Sequence, residues 1–249
     1  MFDRELFYTK IPALNGLLEY AEVMESTSDR ALELGQAGAP SGTLVLSERQ
    51  TKGRGRRGNR WACPEGEGLL FSLVLDPDVG KELWSRFALV AGLAVAEVIE
   101  GFGLEAGIKW PNDVWIGKKK CAGILVEGAA DRLVIGIGLN VSVQSFPAEL
   151  EATSLLLEGV PKPSREEILA GVVQGIFRWG SLAGAGYEKV IAEVQKRLVF
   201  RNQLVRMLWK GEPCEGVVRG LNDEGHLLVE MNGVVQAVVQ ADEIRSVQH

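Results

Sequence analysis

Histidine is almost missing from this chain. Of 249 residues only His226 and the terminal His249 are of that type, so a histidine-based triad or a histidine-rich metal site has too little to be built from. Cysteine is nearly as scarce. Cys63, Cys121 and Cys214 lie far apart and form no C-x-x-C pair. That excludes a disulfide framework and a cysteine zinc site, and it suits a reducing, cytoplasmic compartment. The longest apolar run, Phe87 to Ala96, is too short to span a bilayer, so no membrane partner is expected. The start, Met1-Phe2-Asp3-Arg4-Glu5, lacks the charged-then-apolar layout of an export signal. Positive charge is in deficit: Lys and Arg number 27 against 33 Asp and Glu, a formal net charge of −6. Such a chain is a poor general binder of nucleic acid. Internal repeats and low-complexity segments are also lacking.

What is present reads as a globular chain, with 46% hydrophobic and 24% charged residues and length enough for one large domain and a small one. Residues 1–25 carry little pattern beyond a helical turn around Leu14 to Ala21. Ser26-Thr27-Ser28-Asp29 then caps a helix over Arg30 to Leu34, stopped by Gly35, Gly38 and Pro40. Gly42 to Ser47 and Gly68 to Leu75 are strands, the second apolar on both faces. Lys81 to Glu100 is a core helix ended by Gly101 and Gly103. Ile108 to Ile116 holds two short strands around a Pro111-Asn112-Asp113 corner, Lys120 to Glu127 is their hairpin partner, and Leu133 to Val141 is a further strand. Residues 164–179, capped by Ser164, and 185–197 are amphipathic helices. After Arg197 come short strands at 203–207, 214–220, 226–230 and 234–238, punctuated by glycine turns. The expectation is an α+β fold: a mixed β-sheet with flanking helices over 1–198, followed by a small β-barrel over 199–249.

The missing positive charge has been gathered into one stretch. Residues 49–60 hold six basic side chains, three glycines and no acid. Glycines let backbone N–H groups approach an anion, and arginines clamp carboxylate or phosphate with two bonds at once. The segment therefore reads as a mobile loop that closes over a phosphorylated or adenylylated small molecule. Gly53, Gly55 and Gly58 also fit G-x-G-x-x-G, but Asn59-Arg60-Trp61-Ala62-Cys63-Pro64 cannot start the helix a dinucleotide fold requires. A kinase loop is excluded by Arg60 where valine is needed and by the lack of H-R-D and D-F-G. A solvated basic loop or a nucleic-acid patch remains open on these residues alone.

Four ordered motifs decide between these readings: Gly53 to Gly58 (G-R-G-R-x-G), Lys109 to Asp113 (K-W-P-N-D), Lys120 to Leu125 (K-x-A-G-I-L) and Gly136 to Asn140 (G-x-G-x-N). In order and spacing the chain resembles the biotin–protein ligases over about residues 23–145, and its end looks like their SH3-like C-terminal barrel. The resemblance implies a catalytic core of the biotin/lipoate-ligase and class II synthetase type. It also implies activation of biotin by MgATP to biotinyl-5′-AMP and transfer to one lysine of a biotin carboxyl carrier protein. That chemistry needs fixed positive groups, not a protein nucleophile or a prosthetic group. By position, Lys120 and Arg56 are the catalytic residues. Ser26, Thr27, Ser28, Gln50, Arg54, Gly55, Arg56, Lys120, Gly136 and Gly138 are to bind biotin. Arg56, Arg57, Trp61, Asn112, Asp113, Lys120 and Asn140 are to bind ATP, with Asp113 also a magnesium ligand. On the residues alone, Lys118 and Lys119 read as a solvated turn, Trp110 and Trp115 as core, and Cys121 as a small buried hydrophobe. Only about 25 residues precede Ser26, too few for the DNA-binding domain of some relatives, so a repressor role and specific DNA binding are not expected. Homodimers through exposed sheet edges are compatible with the pattern. The rival enzyme is a lipoate or octanoate ligase, whose pocket would lack the polar Ser26, Thr27 and Gln50. The rival of another class is an RNA-binding module, which would interleave aromatics with the positive charges.

Overall fold

The computed structural model describes residues 1–247. Seven strands form the first sheet: β1 (Leu18–Met24), β2 (Leu44–Gln50), β3 (Gly68–Leu75), β4 (Ala106–Lys109), β5 (Asp113–Ile116), β6 (Lys119–Ala129) and β7 (Arg132–Asn140). Their spatial order is β1-β2-β3-β7-β6-β5-β4. Only β1 and β2 run parallel; every other neighbouring pair is antiparallel.

Both faces of this sheet are covered, which is why its central strands read as continuous apolar runs. Val45, Val74 and Val134 point to one face, where they meet Ala31 of helix α2 (Thr27–Gln36). Leu44, Leu46, Leu73, Leu133 and Ile135 point to the other, into the main core with α3 (Phe87–Glu100) and α4 (Arg165–Gly180). Helix α5 (Tyr187–Lys196) packs against α3. A second, five-stranded antiparallel sheet follows: β8 (Leu204–Trp209), β9 (Glu212–Leu221), β10 (Leu227–Met231), β11 (Val234–Val238) and β12 (Asp242–Ser246), ordered β11-β10-β9-β8-β12. Its Val205, Val218 and Leu227 join the same apolar cluster as the first sheet. Trp110 reaches across to donate its indole N–H to the Gly225 carbonyl at 2.9 Å.

Several local expectations are corrected. The stretch expected as a helical turn at Leu14 to Ala21 is a 3-10 turn at Pro12–Leu14 followed by strand β1. β1 is an edge strand, part-buried along most of its length, so it shows no clean alternation. Helix α1 (Arg4–Lys10) was not anticipated, although Asp3 caps it by accepting from the Leu6 N–H at 2.9 Å. Gly35 does not end α2 but lies inside it, where a Cβ would stand 3.0 Å from that of Ala129. The helix expected over Lys81 to Glu100 begins as a 3-10 segment, Lys81–Arg86, and becomes α-helical at Phe87. β12 was also missed, its Asp242-Glu243-Ile244-Arg245 run being polar enough to pass for a tail. Trp110, Trp115 and Cys121 are buried, as their residue types led one to expect.

Candidate active site

The cavity arises where side chains give out on the α2 face of the sheet. Val134 of β7 packs under α2, but Gly136 and Gly138 follow it on the same face. Gly138 pairs in register with Gly123 of β6, and Gly136 pairs with Ser72 on one side and Leu125 on the other. Beyond the first turn of α2 the sheet therefore contributes only backbone on this face, on which the Trp61 ring lies, and a cavity of about 410 Å³ is built there.

One end of this cavity is polar. Gln50 Oε1 accepts from the Thr27 N–H at 2.7 Å and faces the Thr27 hydroxyl at 3.2 Å. Ser72 Oγ donates to Thr27 Oγ1 at 2.9 Å and lies 3.2 Å from Ser28 Oγ. Three hydroxyls and an amide thus form one network at a helix N-terminus, where the backbone dipole also favours an acceptor atom of a ligand. Ser72 is fully buried. It was overlooked in the sequence, although it is the lone polar residue in the apolar run Leu69 to Leu75.

The other end is cationic. Lys120 Nζ lies 2.8 Å from the Asp113 carboxylate and 5.4 Å from the centre of the Trp61 ring system. Arg56 Nη1 donates to Asn112 Oδ1 at 2.9 Å, and Asn112 Nδ2 donates to the Ile124 carbonyl at 2.8 Å. Asn112 and Asp113 form the corner after a cis Trp110–Pro111 bond, and each of them meets one cation, Arg56 and Lys120 respectively. Burial presses the Arg56 guanidinium below its ordinary pKa, the mark of a charge held ready for a partner. Cys63 and Cys121 are different: burial pushes both thiols up to about 12, so neither is a thiolate nucleophile.

The basic loop is a small hairpin in its own right. Arg54 and Arg60 bridge, Gly55 N–H donates to the Asn59 carbonyl at 2.8 Å, and Trp61 N–H donates to the Gly53 carbonyl at 3.1 Å. Its base is anchored by Arg54, which pairs with Asp29 of α2 and Glu127 of β6. Its tip is met by the second sheet, through an ion pair between Arg57 and Asp242 of β12. Ala241, Asp242, Glu243 and Ile244 line the cavity, a contribution that no motif announced.

Of the residues named from the sequence, Thr27, Ser28, Gln50, Arg54, Gly55, Arg56, Arg57, Trp61, Asn112, Asp113, Lys120, Gly136 and Gly138 line this one cavity. Ser26 and Asn140 are not among its lining residues. Ser26 caps α2, accepting from the Asp29 N–H at 3.2 Å, and Asn140 is 3% exposed with its amide donating to the Thr153 carbonyl at 3.0 Å.

Comparison with known proteins gives a consistent picture. The biotin/lipoate A/B protein ligase family matches residues 20–143. The bifunctional ligase/repressor BirA of Bacillus subtilis is 36% identical over 253 residues, spanning 95% of this chain and 76% of that protein. The biotin–[acetyl-CoA-carboxylase] ligase of Mycobacterium tuberculosis is 32% identical, spanning 96% and 94%. Among solved structures, the biotin protein ligase from Aquifex aeolicus in complex with biotin and ATP superposes with a TM-score of 0.83 at 29% identity, covering 92% of this chain and 98% of that one.

Proposed function

We propose that this chain, which belongs to the biotin/lipoate A/B protein ligase family, acts as a biotin–protein ligase. It joins biotin to ATP as biotinyl-5′-AMP, releases pyrophosphate, and passes the biotinyl group to one lysine of a carboxylase's biotin carboxyl carrier domain. The observation that carries this reading is the order of environments along the cavity. A hydrogen-bonding end (Thr27, Ser28, Gln50), a flat backbone floor (Gly136, Gly138, Gly123) and a cationic end (Lys120, Arg56) follow one another. Biotin has the matching order of ureido group, fused rings and carboxylate.

The chain's residues then divide the work. Gln50 Oε1 is committed to Thr27, and its Nε2 amide makes no hydrogen bond among the described residues, so that N–H is free for the ureido oxygen. Lys120 leaves Asp113 for the biotin carboxylate and holds it against the α-phosphate as charge builds on phosphorus. Arg56, steadied by Asn112, closes over the adenylate and keeps water from the mixed anhydride. Magnesium bound to the nucleotide would neutralise charge on its phosphates. Among the described residues no three His, Cys, Asp or Glu side chains group to hold a metal, and Asp113 suits the single-carboxylate role usual where phosphates supply the remaining ligands. The second sheet, as a barrel domain over 199–249, backs the loop from outside without supplying a reacting group. The free thiols Cys63, Cys121 and Cys214 fit a cytoplasmic setting. Among the described residues no helix is long and apolar enough to cross a membrane.

The competing reading within the family is lipoate or octanoate transfer. The test is ATP–pyrophosphate exchange with biotin, lipoate and octanoate in parallel. Exchange driven by biotin supports the assignment; exchange driven by lipoate or octanoate alone overturns it.

A further inference from the structure

The corner that meets the two cations is itself held from two sides. On one side Asn112 clasps β6. Its carbonyl accepts from the Ile124 N–H at 2.9 Å, and its Nδ2 donates to the Ile124 carbonyl at 2.8 Å. On the other side the buried Trp110 indole donates to the Gly225 carbonyl at 2.9 Å. A buried indole N–H needs an acceptor, and among the described residues the first sheet offers Trp110 none. The acceptor comes from the second sheet, 115 residues further along the chain.

The turn that supplies this carbonyl, residues 222–226 between β9 and β10, is closed on itself. Asn222 N–H donates to the His226 carbonyl at 3.0 Å, and Gly225 N–H donates to the Asn222 carbonyl at 2.9 Å. The His226 N–H donates to Asn222 Oδ1 at 2.8 Å. Gly225 has a φ of 86, in the left-handed region that favours glycine. A Cβ there would stand 2.9 Å from Tyr187 Oη, 3.1 Å from Leu89 Cδ1 and 3.4 Å from Ile191 Cδ1. Lacking one, the turn seats in a slot between α3 and α5. Its carbonyl is thus offered to Trp110 from a fixed place.

The exact position of the corner matters to the chemistry. Asn112 holds Arg56 and Asp113 holds Lys120, so a shifted corner carries both cations away from the carboxylate and the α-phosphate. A misplacement of about 1 Å costs on the order of 100-fold in rate where reacting groups must be aligned. Side chains at a reacting centre keep their geometry only when the groups behind them are fixed as well. We infer that the β9–β10 turn is a positioning element of the active site: the Gly225 carbonyl, acting through the Trp110 indole, fixes the Asn112–Asp113 corner for the activation step. The second sheet therefore takes part in forming the adenylate, although neither Trp110 nor Gly225 supplies a reacting group. This rests on the ligase reading above.

Trp110→Phe keeps an aromatic ring and removes the donor. In biotin-dependent ATP–pyrophosphate exchange its kcat should fall about tenfold, the scale of one lost buried hydrogen bond felt through a small shift of the corner. The KM for biotin should stay within twofold, because Thr27, Ser28 and Gln50 do not touch the corner. Gly225→Ala, which keeps the indole and displaces the carbonyl, should give the same split. Val205→Ala is the control. It opens a cavity in the second sheet, where Val205 is fully buried, and should lower the melting temperature while leaving kcat within twofold. An unchanged kcat in whichever of Trp110→Phe and Gly225→Ala folds overturns the inference, and so does an equal loss of kcat in Val205→Ala. Wild-type protein without biotin-dependent exchange overturns the ligase reading and this inference with it.

Discussion

Trp61 lies so close over Gly138 that a Cβ on the glycine would stand 2.3 Å from the indole Cε2 atom. The same ring covers Gly123, where a Cβ would come within 2.9 Å. Its Nε1 is buried without a hydrogen-bond partner among the described residues, a cost of about 1–3 kcal/mol. The indole thus occupies the glycine floor on which the proposed reading lays the fused rings of biotin. In that reading biotin and this arrangement of Trp61 exclude each other.

The first prediction follows directly. Biotin binding should move Trp61 from the glycine floor and change tryptophan fluorescence, and Trp61→Phe should lose most of that change. Gly138→Ala should raise the KM for biotin at least tenfold, since a methyl group there meets whatever lies on the floor. A biotin titration with identical fluorescence response in wild type and Trp61→Phe would refute the displacement.

Lys120 is the cation nearest the reacting atoms in the proposed mechanism. Lys120→Ala should lower biotin-dependent exchange by about 10²–10³-fold, the scale seen on removing one preorganised electrostatic donor. Asp113, then without its partner at 2.8 Å, presents an unpaired carboxylate to an incoming phosphate. Exchange at the wild-type rate would remove Lys120 from its assigned role.

Among the described residues, the Arg56 side chain is tied to the pocket by its hydrogen bond to Asn112 alone. Arg56→Gly removes that tie and adds backbone freedom in the loop. Adenylate should still form, because Lys120 is intact, but it should escape. The readout is biotin appearing on bystander lysines of added albumin, well above the wild-type background. Measurable adenylate synthesis without extra labelling would mean that the loop is not the lid.

The fourth prediction concerns stability. Glu48 of β2 and Arg165 of α4 form a buried pair, with side chains 6% and 12% exposed. Burial works against the Glu48 charge, but Arg165, the Tyr20 hydroxyl and the Phe2 N–H together hold its pKa below the ordinary 4.5. A depressed carboxylate adds stability above its unfolded value and loses it as pH falls through the folded one. The melting temperature should therefore fall as pH drops below about 4.5. Glu48→Ala, which strands a buried guanidinium, should cost about 3 kcal/mol at neutral pH and flatten that acid limb. An unaltered acid limb in the variant would show that Glu48 is not its source.

How much of this was legible in the sequence depends on where each residue's constraint comes from. β3 and β7 were readable because both their faces are buried, which leaves a long apolar run. β1 and β12 were not, since an edge strand and a charged terminal strand are specified by their neighbours. The cavity's motif residues were readable as motifs, but not their division of labour. Ser26 lies in the capping run and Asn140 in the G-x-G-x-N motif; the Ser26 hydroxyl caps α2 and the Asn140 amide donates to the Thr153 carbonyl. Ser72 and the Ala241-Asp242-Glu243 run reach the site through packing between distant segments, which no local spacing encodes.

The hairpin at the tip of the basic loop has a thermodynamic consequence. A disordered lid must be frozen residue by residue, at about 1–2 kcal/mol of conformational entropy each, and that sum is subtracted from the affinity of whatever it covers. Here residues 54–60 are already joined by the Arg54–Arg60 bridge and the Gly55–Asn59 bond, and Arg54 is pinned at the base. If the loop is the lid proposed above, closure would turn a pre-shaped flap about a few flanking positions and leave most of the flap's own torsions unchanged. The intermediate would then be retained by modest contacts, because little ordering would have to be repaid each time the flap shuts.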